Sequence, residues 1–170
     1  MKYAERYDSP MGPMMMVSDG TALTELRFSD TGATAPMTAA SHPPELPVFQ
    51  ETRRWLDTYF NGGKPQSMPQ LKPQGTSFQQ MVWQRLMEIP YGKTATYGTI
   101  ARIVGCRSAQ AVGGTVGRNP IAILIPCHRV VGSDGSLTGY AYGLDRKRQL
   151  LLLEKNLSIG LPLHDQSNSL

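Results

Sequence analysis

Cysteine is almost missing from this chain: 170 residues hold two, Cys106 and Cys127. Two cannot build a disulfide framework, and neither sits in the paired spacing of a zinc site. Histidine is as sparse, and His42, His128 and His164 are too scattered to form a metal cluster. Neither a metal nor a cofactor is expected. The first residues lack the apolar region of a signal peptide, and no apolar run is long enough to span a bilayer. These absences predict a reduced, cytoplasmic protein with no membrane partner. Internal repeats are missing too, which excludes a solenoid.

A hydrophobic content of 40% is enough for a packed core, and the length suits one large domain or two small ones. Charge is unevenly placed. Residues 1–75 hold 7 Lys and Arg against 8 Asp and Glu, whereas residues 76–170 hold 10 against 5. The basic half is mostly arginine: Arg102, Arg107, Arg118, Arg129, Arg146 and Arg148. A guanidinium fork suits phosphate. An excess this modest also describes an ordinary solvated surface.

Strand-like runs occupy residues 2–7, 14–18 and 22–28, with Ser18, Asp19 and Gly20 as a tight turn between the last two. Residues 29–44, rich in Thr, Ala and Pro, read as an irregular connection. Apolar positions from Val48 to Phe60 predict a helix that stops at Asn61-Gly62-Gly63. A proline-bearing linker at residues 64–75 sets the domain boundary, giving domains at 1–75 and 76–157 and a tail at 158–170. The second domain opens with a Thr76-x-x-Gln79 capping box ahead of Phe78, Met81, Val82, Leu86 and Ile89, and Pro90 closes that helix. Two short helices at 97–104 and 108–116, parted by Gly105-Cys106-Arg107, have the helix-turn-helix outline. The second is nearly bare of side chains, through Ala109, Ala111, Gly113 and Gly114. Bareness serves close helix packing or close approach of backbone to a ligand. A basic, then leucine-rich, helix is expected at 144–154.

Pro126-Cys127-His128-Arg129 carries the chemistry. The β-branched run Ile121–Ile125 reads as a buried strand that stops at proline and delivers a thiol to the rim of a core. Thiolate is the nucleophilic form of cysteine, so Cys127 needs a base. In an extended segment Cys127 and His128 point to opposite sides, so a bridging water would connect them. A carboxylate would then orient and stabilise the imidazole. Glu154, at the end of the leucine-rich helix, is the candidate, since a carboxylate there opposes the helix dipole.

Tyr97 with Ala101, Ala109-x-Ala111-Val112-Gly113-Gly114, Asn119-Pro120, Ile125–Val130, Gly139-Tyr140 and Glu154 occur in an order and spacing that resembles the O6-alkylguanine-DNA alkyltransferase family. The resemblance covers residues 76–154 closely and the N-terminal segment in outline. It implies an α/β protein: a small ribonuclease-H-like N-terminal domain, then a helical C-terminal domain with a winged helix-turn-helix. Cys127 would accept the alkyl group irreversibly, once per molecule. His128 and Glu154 would relay its proton, Tyr97 would act at guanine O6 and at the backbone phosphate, and Asn119 would hold the turn bearing the cysteine. Val116, Val130 and Tyr140 would line the base pocket. Ala109, Gln110, Ala111, Gly113, Arg118 and Ser133 would meet DNA. The implied partner of this monomer is double-stranded DNA carrying O6-alkylguanine, flipped from the minor groove, with O4-alkylthymine a second candidate lesion.

Two departures stand out. Gln110 occupies the place of an arginine that fills the gap left by the flipped base, and the zinc ligands of some relatives are missing from the N-terminal segment. The competing readings are a damage sensor or helix-turn-helix regulator that binds without reacting, and a cysteine hydrolase. Non-reacting relatives carry tryptophan where this chain has Cys127. A hydrolase would require a distant histidine, and only His42 and His164 remain.

Overall fold

The computed structural model describes residues 1–31, 39–40 and 45–155. The tail expected at 158–170, with His42 and His164, lies outside them. Two compact units divide the chain: residues 1–74 with 120–124, and residues 75–119 with 125–170.

The first unit is a four-stranded sheet with one helix. β1 (Lys2–Ser9), β2 (Gly12–Ser18) and β3 (Leu23–Phe28) form an antiparallel meander, and β4 (Ala39–Ala40) adds parallel to β1, giving the order β3-β2-β1-β4. The strand at Ala39–Ala40 corrects the expectation that all of 29–44 is irregular. α1 (Pro47–Phe60) opens with proline, whose fixed φ suits a first helical position. It buries Val48, Phe49, Thr52, Trp55, Leu56 and Tyr59, one stripe at helical spacing. Trp55 and Tyr59 stack at 5.3 Å.

The free edge of β3 is covered rather than exposed, as sheet edges must be to avoid promiscuous pairing. Leu23 bonds Gln70 and Lys72, while Leu26 accepts from the Ala122 amide and donates to the Pro120 carbonyl, both at 2.9 Å. Here the run Ile121–Ile125 departs from the sequence expectation. Only Ile121 bridges to β3; the chain then turns, with Leu124 N donating to Ala122 O at 2.8 Å and Ile123 at φ 70°. That is a γ-turn of the rare, strained hand, at a β-branched residue that seldom enters positive φ. All five side chains are buried, so the apolar run reports burial and not strand pairing.

The second unit is helical. In α2 (Ser77–Leu86), Thr76 Oγ1 accepts from Gln79 N and Gln79 Oε1 accepts from Thr76 N, the reciprocal capping box. The helix stops short of Pro90, because Ile89 is held out of the α region by the following proline. Residues 88 and 89 close with tighter three-residue bonds instead. Met81, expected on the apolar face, is exposed. β5 (Ala95–Thr96) leads into α3 (Tyr97–Ile103), and Thr96 caps it through Thr99 N. Gly105, at φ 72°, ends α3 with Cys106 N bonded to Ala101 O and Gly105 N to Arg102 O, a Schellman motif. This reverses the chain into α4 (Ala109–Gly117), capped by Ser108 and fastened to α2 by Trp83 Nε1 on Thr115 O at 3.0 Å. β6 (Val130–Val131) pairs parallel with β5, and α5 (Leu144–Glu154) closes the unit with Leu150–Leu153 buried. Among the described residues no helix is long and apolar enough to cross a membrane.

Candidate active site

Cys127 opens a single 3-10 turn, Cys127–Arg129, not an extended segment. It is buried, and with Asn119, Tyr97 of α3 and Gly113 and Val116 of α4 it lines a cavity of about 110 Å³. The loop from Gly139 to Tyr142 forms the rest of the wall. Asn119 Nδ2 donates both to the Ile125 carbonyl (2.7 Å) and to Cys127 Sγ (3.2 Å). One amide thus fixes the turn and offers a proton to the sulfur. Burial raises the thiol pKa, while the Asn119 hydrogen bond and the charge of Lys147 pull it back down.

His128, fully buried, donates through Nε2 to Glu154 Oε2 at 2.5 Å. The other carboxylate oxygen accepts from Arg129 Nε at 2.7 Å and from Gly92 N at 3.1 Å. Burial by itself would push the Glu154 carboxyl up, but His128 and Arg129 outweigh it and hold it well below the usual carboxylate range. An ionised carboxylate only accepts, which assigns the imidazole proton to Nε2 and leaves the Nδ1 lone pair bare. Nδ1 is buried and has no hydrogen-bond partner among the described residues. Burial lowers the His128 pKa, with Glu154 opposing, so the imidazole rests neutral. The arrangement is a neutral imidazole with an oriented carboxylate behind it, one residue along the chain from a buried thiol.

A Cβ on Gly113 would meet only the Tyr97 ring at 3.8 Å, ordinary contact, and one on Gly114 would meet the flexible tip of Arg118 at 3.2 Å. Helix packing therefore does not demand glycine here. Ala109, Gln110, Ala111, Gly114 and Gly117 are exposed, so this helix presents nearly naked backbone to solvent.

A family model described as the 6-O-methylguanine DNA methyltransferase DNA-binding domain matches residues 77–156, and one described as its ribonuclease-like domain matches residues 2–69. A methylated-DNA–protein-cysteine methyltransferase of Haemophilus influenzae is 47% identical over 156 residues, covering 90% of this chain and 86% of that protein. One from Mycobacterium leprae is 45% identical, covering 92% and 94%. The chain belongs to the methylated-DNA–protein-cysteine methyltransferase family. Among solved structures, Mycobacterium tuberculosis OGT in complex with DNA matches with a TM-score of 0.80 at 41% identity, covering 96% of this chain and 99% of that one.

Within this family frame the expected site residues fall into three places. Cys127, Asn119, Tyr97, Val116 and Tyr140 meet at the cavity, with His128 and Glu154 paired alongside Arg129. Tyr97 Oη donates to the Thr138 carbonyl at 2.9 Å, and the Tyr140 hydroxyl is buried with no partner among the described residues. Val130, in contrast, is buried in β6 opposite Ala95 and is not part of the lining. Ala109, Gln110, Ala111, Arg118 and Ser133 are exposed, and Gly113 is half-buried. Among the described residues no group of His, Cys, Asp or Glu is arranged to hold a metal ion.

Two residues were missed from sequence. Arg129, counted with the phosphate-facing arginines, is instead buried, bonded to Glu154 and to the Ile89 carbonyl at 2.8 Å, with its guanidinium 5.8 Å from the Tyr91 ring centroid. Lys147 is wholly buried. A charge inside helix α5 reads as solvated, and nothing in the local pattern says otherwise.

Proposed function

We propose that the protein repairs double-stranded DNA by moving the alkyl group of O6-alkylguanine irreversibly to Cys127. The observation that carries this is the thiol in the wall of a cavity of about 110 Å³ that the bare helix α4 also lines, with the buried His128–Glu154 pair next along the chain from the cysteine. A base inside a duplex cannot reach a buried sulfur, so the lesion must be extruded from the stack. α4 supplies the bare surface that approaches the groove, while Arg102, Arg107 and Arg118, all exposed, supply sequence-independent attraction to phosphate.

The proton of Cys127 passes through a water to His128 Nδ1, and Glu154 stabilises the imidazolium that forms. Sulfur attacks the alkyl carbon, a carbon–sulfur bond forms as the carbon–O6 bond breaks, and the electron pair stays on the guanine. The Tyr97 phenol protonates the purine and recovers its proton from solvent. The product is a thioether, which water does not cleave, so each molecule works once and alone. O4-alkylthymine presents the same alkoxy leaving group to the same sulfur. A reduced thiol is needed throughout, as the cytoplasm provides.

The test is intact mass after incubation with duplex carrying O6-methylguanine. One methylene gained on Cys127, and no more than one base repaired per molecule, is expected. Cys127→Ser should retain binding to the alkylated duplex and lose transfer. Stoichiometric demethylation by Cys127→Ser would overturn the assignment, and binding without any mass gain in the native protein would favour a damage sensor.

A further inference from the structure

We propose that the second unit carries another ligand site, a basic cavity beside β5 and β6 that takes a phosphoryl group. This cavity has a volume of about 250 Å³, against about 110 Å³ for the one at Cys127, and the two share no lining residue. Lys93 and Thr94, in the connection from α2 to β5, line one part of it, and Lys155, just past the end of α5, lines another. Val131, Leu137 and Leu151 supply the apolar part of the lining. A single water needs roughly 10–15 Å³ of such space, so a tetrahedral anion fits with part of its hydration. The site does not depend on what Cys127 accepts.

The charge on this lining is of one sign. Neither Lys93 nor Lys155 makes an ion pair or a side-chain hydrogen bond among the described residues. No Asp or Glu lines the cavity, and the acids nearest along the chain are engaged elsewhere. Glu88 pairs with Arg85, Asp134 accepts from Ser136 N at 3.0 Å, and Glu154 holds His128, Arg129 and the Gly92 amide. Arg148 adds to the same field. It stands three residues before Leu151 and seven before Lys155, on one face of α5. Its Nε is buried with no hydrogen-bond partner among the described residues, an unmet donor that is costly to keep from water. A cleft lined by one sign of charge focuses its field and concentrates counter-ions. The kind of donor then selects among anions. Lysine meets phosphate as a point charge, whereas a planar carboxylate is matched by the guanidinium fork. Two ammonium groups from separate elements, with the Thr94 hydroxyl, suit a tetrahedral group that carries oxygens on every side. A phosphoryl group has two sources here: the DNA backbone, or free phosphate.

The test is amide NMR of the full chain titrated with inorganic phosphate, against chloride at equal ionic strength. Wild type, Lys93→Gln, Lys155→Gln and the double variant are compared. Both side chains are exposed, so neither change threatens the fold. Phosphate should move the Gly92 and Gly135 amides of the lining saturably. Each single variant should weaken that binding by about tenfold or more, because a charge-assisted contact is lost, and the double variant should abolish it. No saturable shift in wild type overturns the site, as does a shift that chloride reproduces or full binding by the double variant. Unmodified duplex DNA then identifies the source. If the site takes a backbone phosphate, duplex moves the same amides, and the double variant lowers the slope of log affinity against log salt by roughly 0.9, the share of one phosphate. If it takes free phosphate, duplex leaves those amides in place and the slope is the same in both proteins.

Discussion

Replacing Glu154 by glutamine changes one atom and should disarm the base without touching the nucleophile. The carboxylate accepts hydrogen bonds from His128 at 2.5 Å, Arg129 at 2.7 Å and Gly92 N at 3.1 Å. Glutamine can keep its oxygen toward Arg129 and Gly92, which leaves its NH₂ facing His128 Nε2. Two donors cannot share that contact. The imidazole must then move its proton to Nδ1, so that Nε2 accepts. The opposite amide orientation sets NH₂ against both Arg129 and Gly92, two conflicts in place of one. In the favoured arrangement Nδ1 carries a hydrogen and cannot receive the proton of Cys127.

The magnitude has two parts. A positioned general base contributes about 10²–10⁴ in rate, and the tautomer change removes it entirely. Losing one partner of a buried pair costs about 3–5 kcal/mol, and the low end is expected because Arg129 retains a neutral acceptor. Single-turnover transfer on an O6-methylguanine duplex should slow by at least about a hundredfold. Nitrogen chemical shifts of His128 should report the proton on Nδ1, and the exposed helix α4 should bind DNA as before. Transfer within about threefold of wild type would refute the relay, with the tautomer found switched, because a hundredfold is the least a working base supplies.

Acid should unfold the protein in two stages. His128 and Glu154 both have folded pKa values depressed below their unfolded ones, so each contributes stability that is full above its unfolded pKa and lost as pH falls. Urea midpoints should decline first below about pH 6.5 and again below about 4.3, the two unfolded values; a flat profile from pH 7 to 4 refutes this. Gly114→Ala should raise stability by about 0.5–1 kcal/mol, since helix propensity improves and the methyl meets only the tip of Arg118. The same variant should weaken DNA binding in titrations, and unaltered affinity would show that the backbone of α4 does not make the close approach. Gln110→Arg should speed duplex repair by about tenfold, the equivalent of the roughly 1.4 kcal/mol that a charged donor adds over a neutral one, and leave reaction with free O6-methylguanine base unchanged. Parallel changes on duplex and free base would remove Gln110 from any role in the vacated stack.

Much of the scaffold was legible because its determinants are local. Thr76 and Gln79 are three residues apart and cap one helix end; the buried stripe of α1 repeats within a single helix; Gly105 sits where a Schellman motif needs positive φ. Each signal is complete within one or two turns of chain. The cysteine turn is different. Nothing in Ile121–Ile125 reveals that its pairing with β3 ends after a single bridge at Leu26, so the sequence pattern of a buried strand is met by a turn. The 3-10 turn at Cys127 is held by an amide eight residues upstream, which spacing alone does not disclose.

The buried charges mark the same limit from the energetic side. Glu154 was traceable because a carboxylate at a helix C-terminus is unfavourable and calls for compensation. Its partners were only half found: His128 was anticipated, Arg129 was counted with the surface, and Lys147 passed as one more basic residue on α5. Burying such groups opposes the binary pattern by which helices are recognised, and it persists only where the surroundings over-determine it. The strained Ile123, the buried Arg129 and the buried Lys147 all lie on the segments that flank or face Cys127. Local rules fail together where the chain departs from them to hold a thiol, a neutral base and two cations in one apolar interior, and that coincidence is itself an argument for where the chemistry sits.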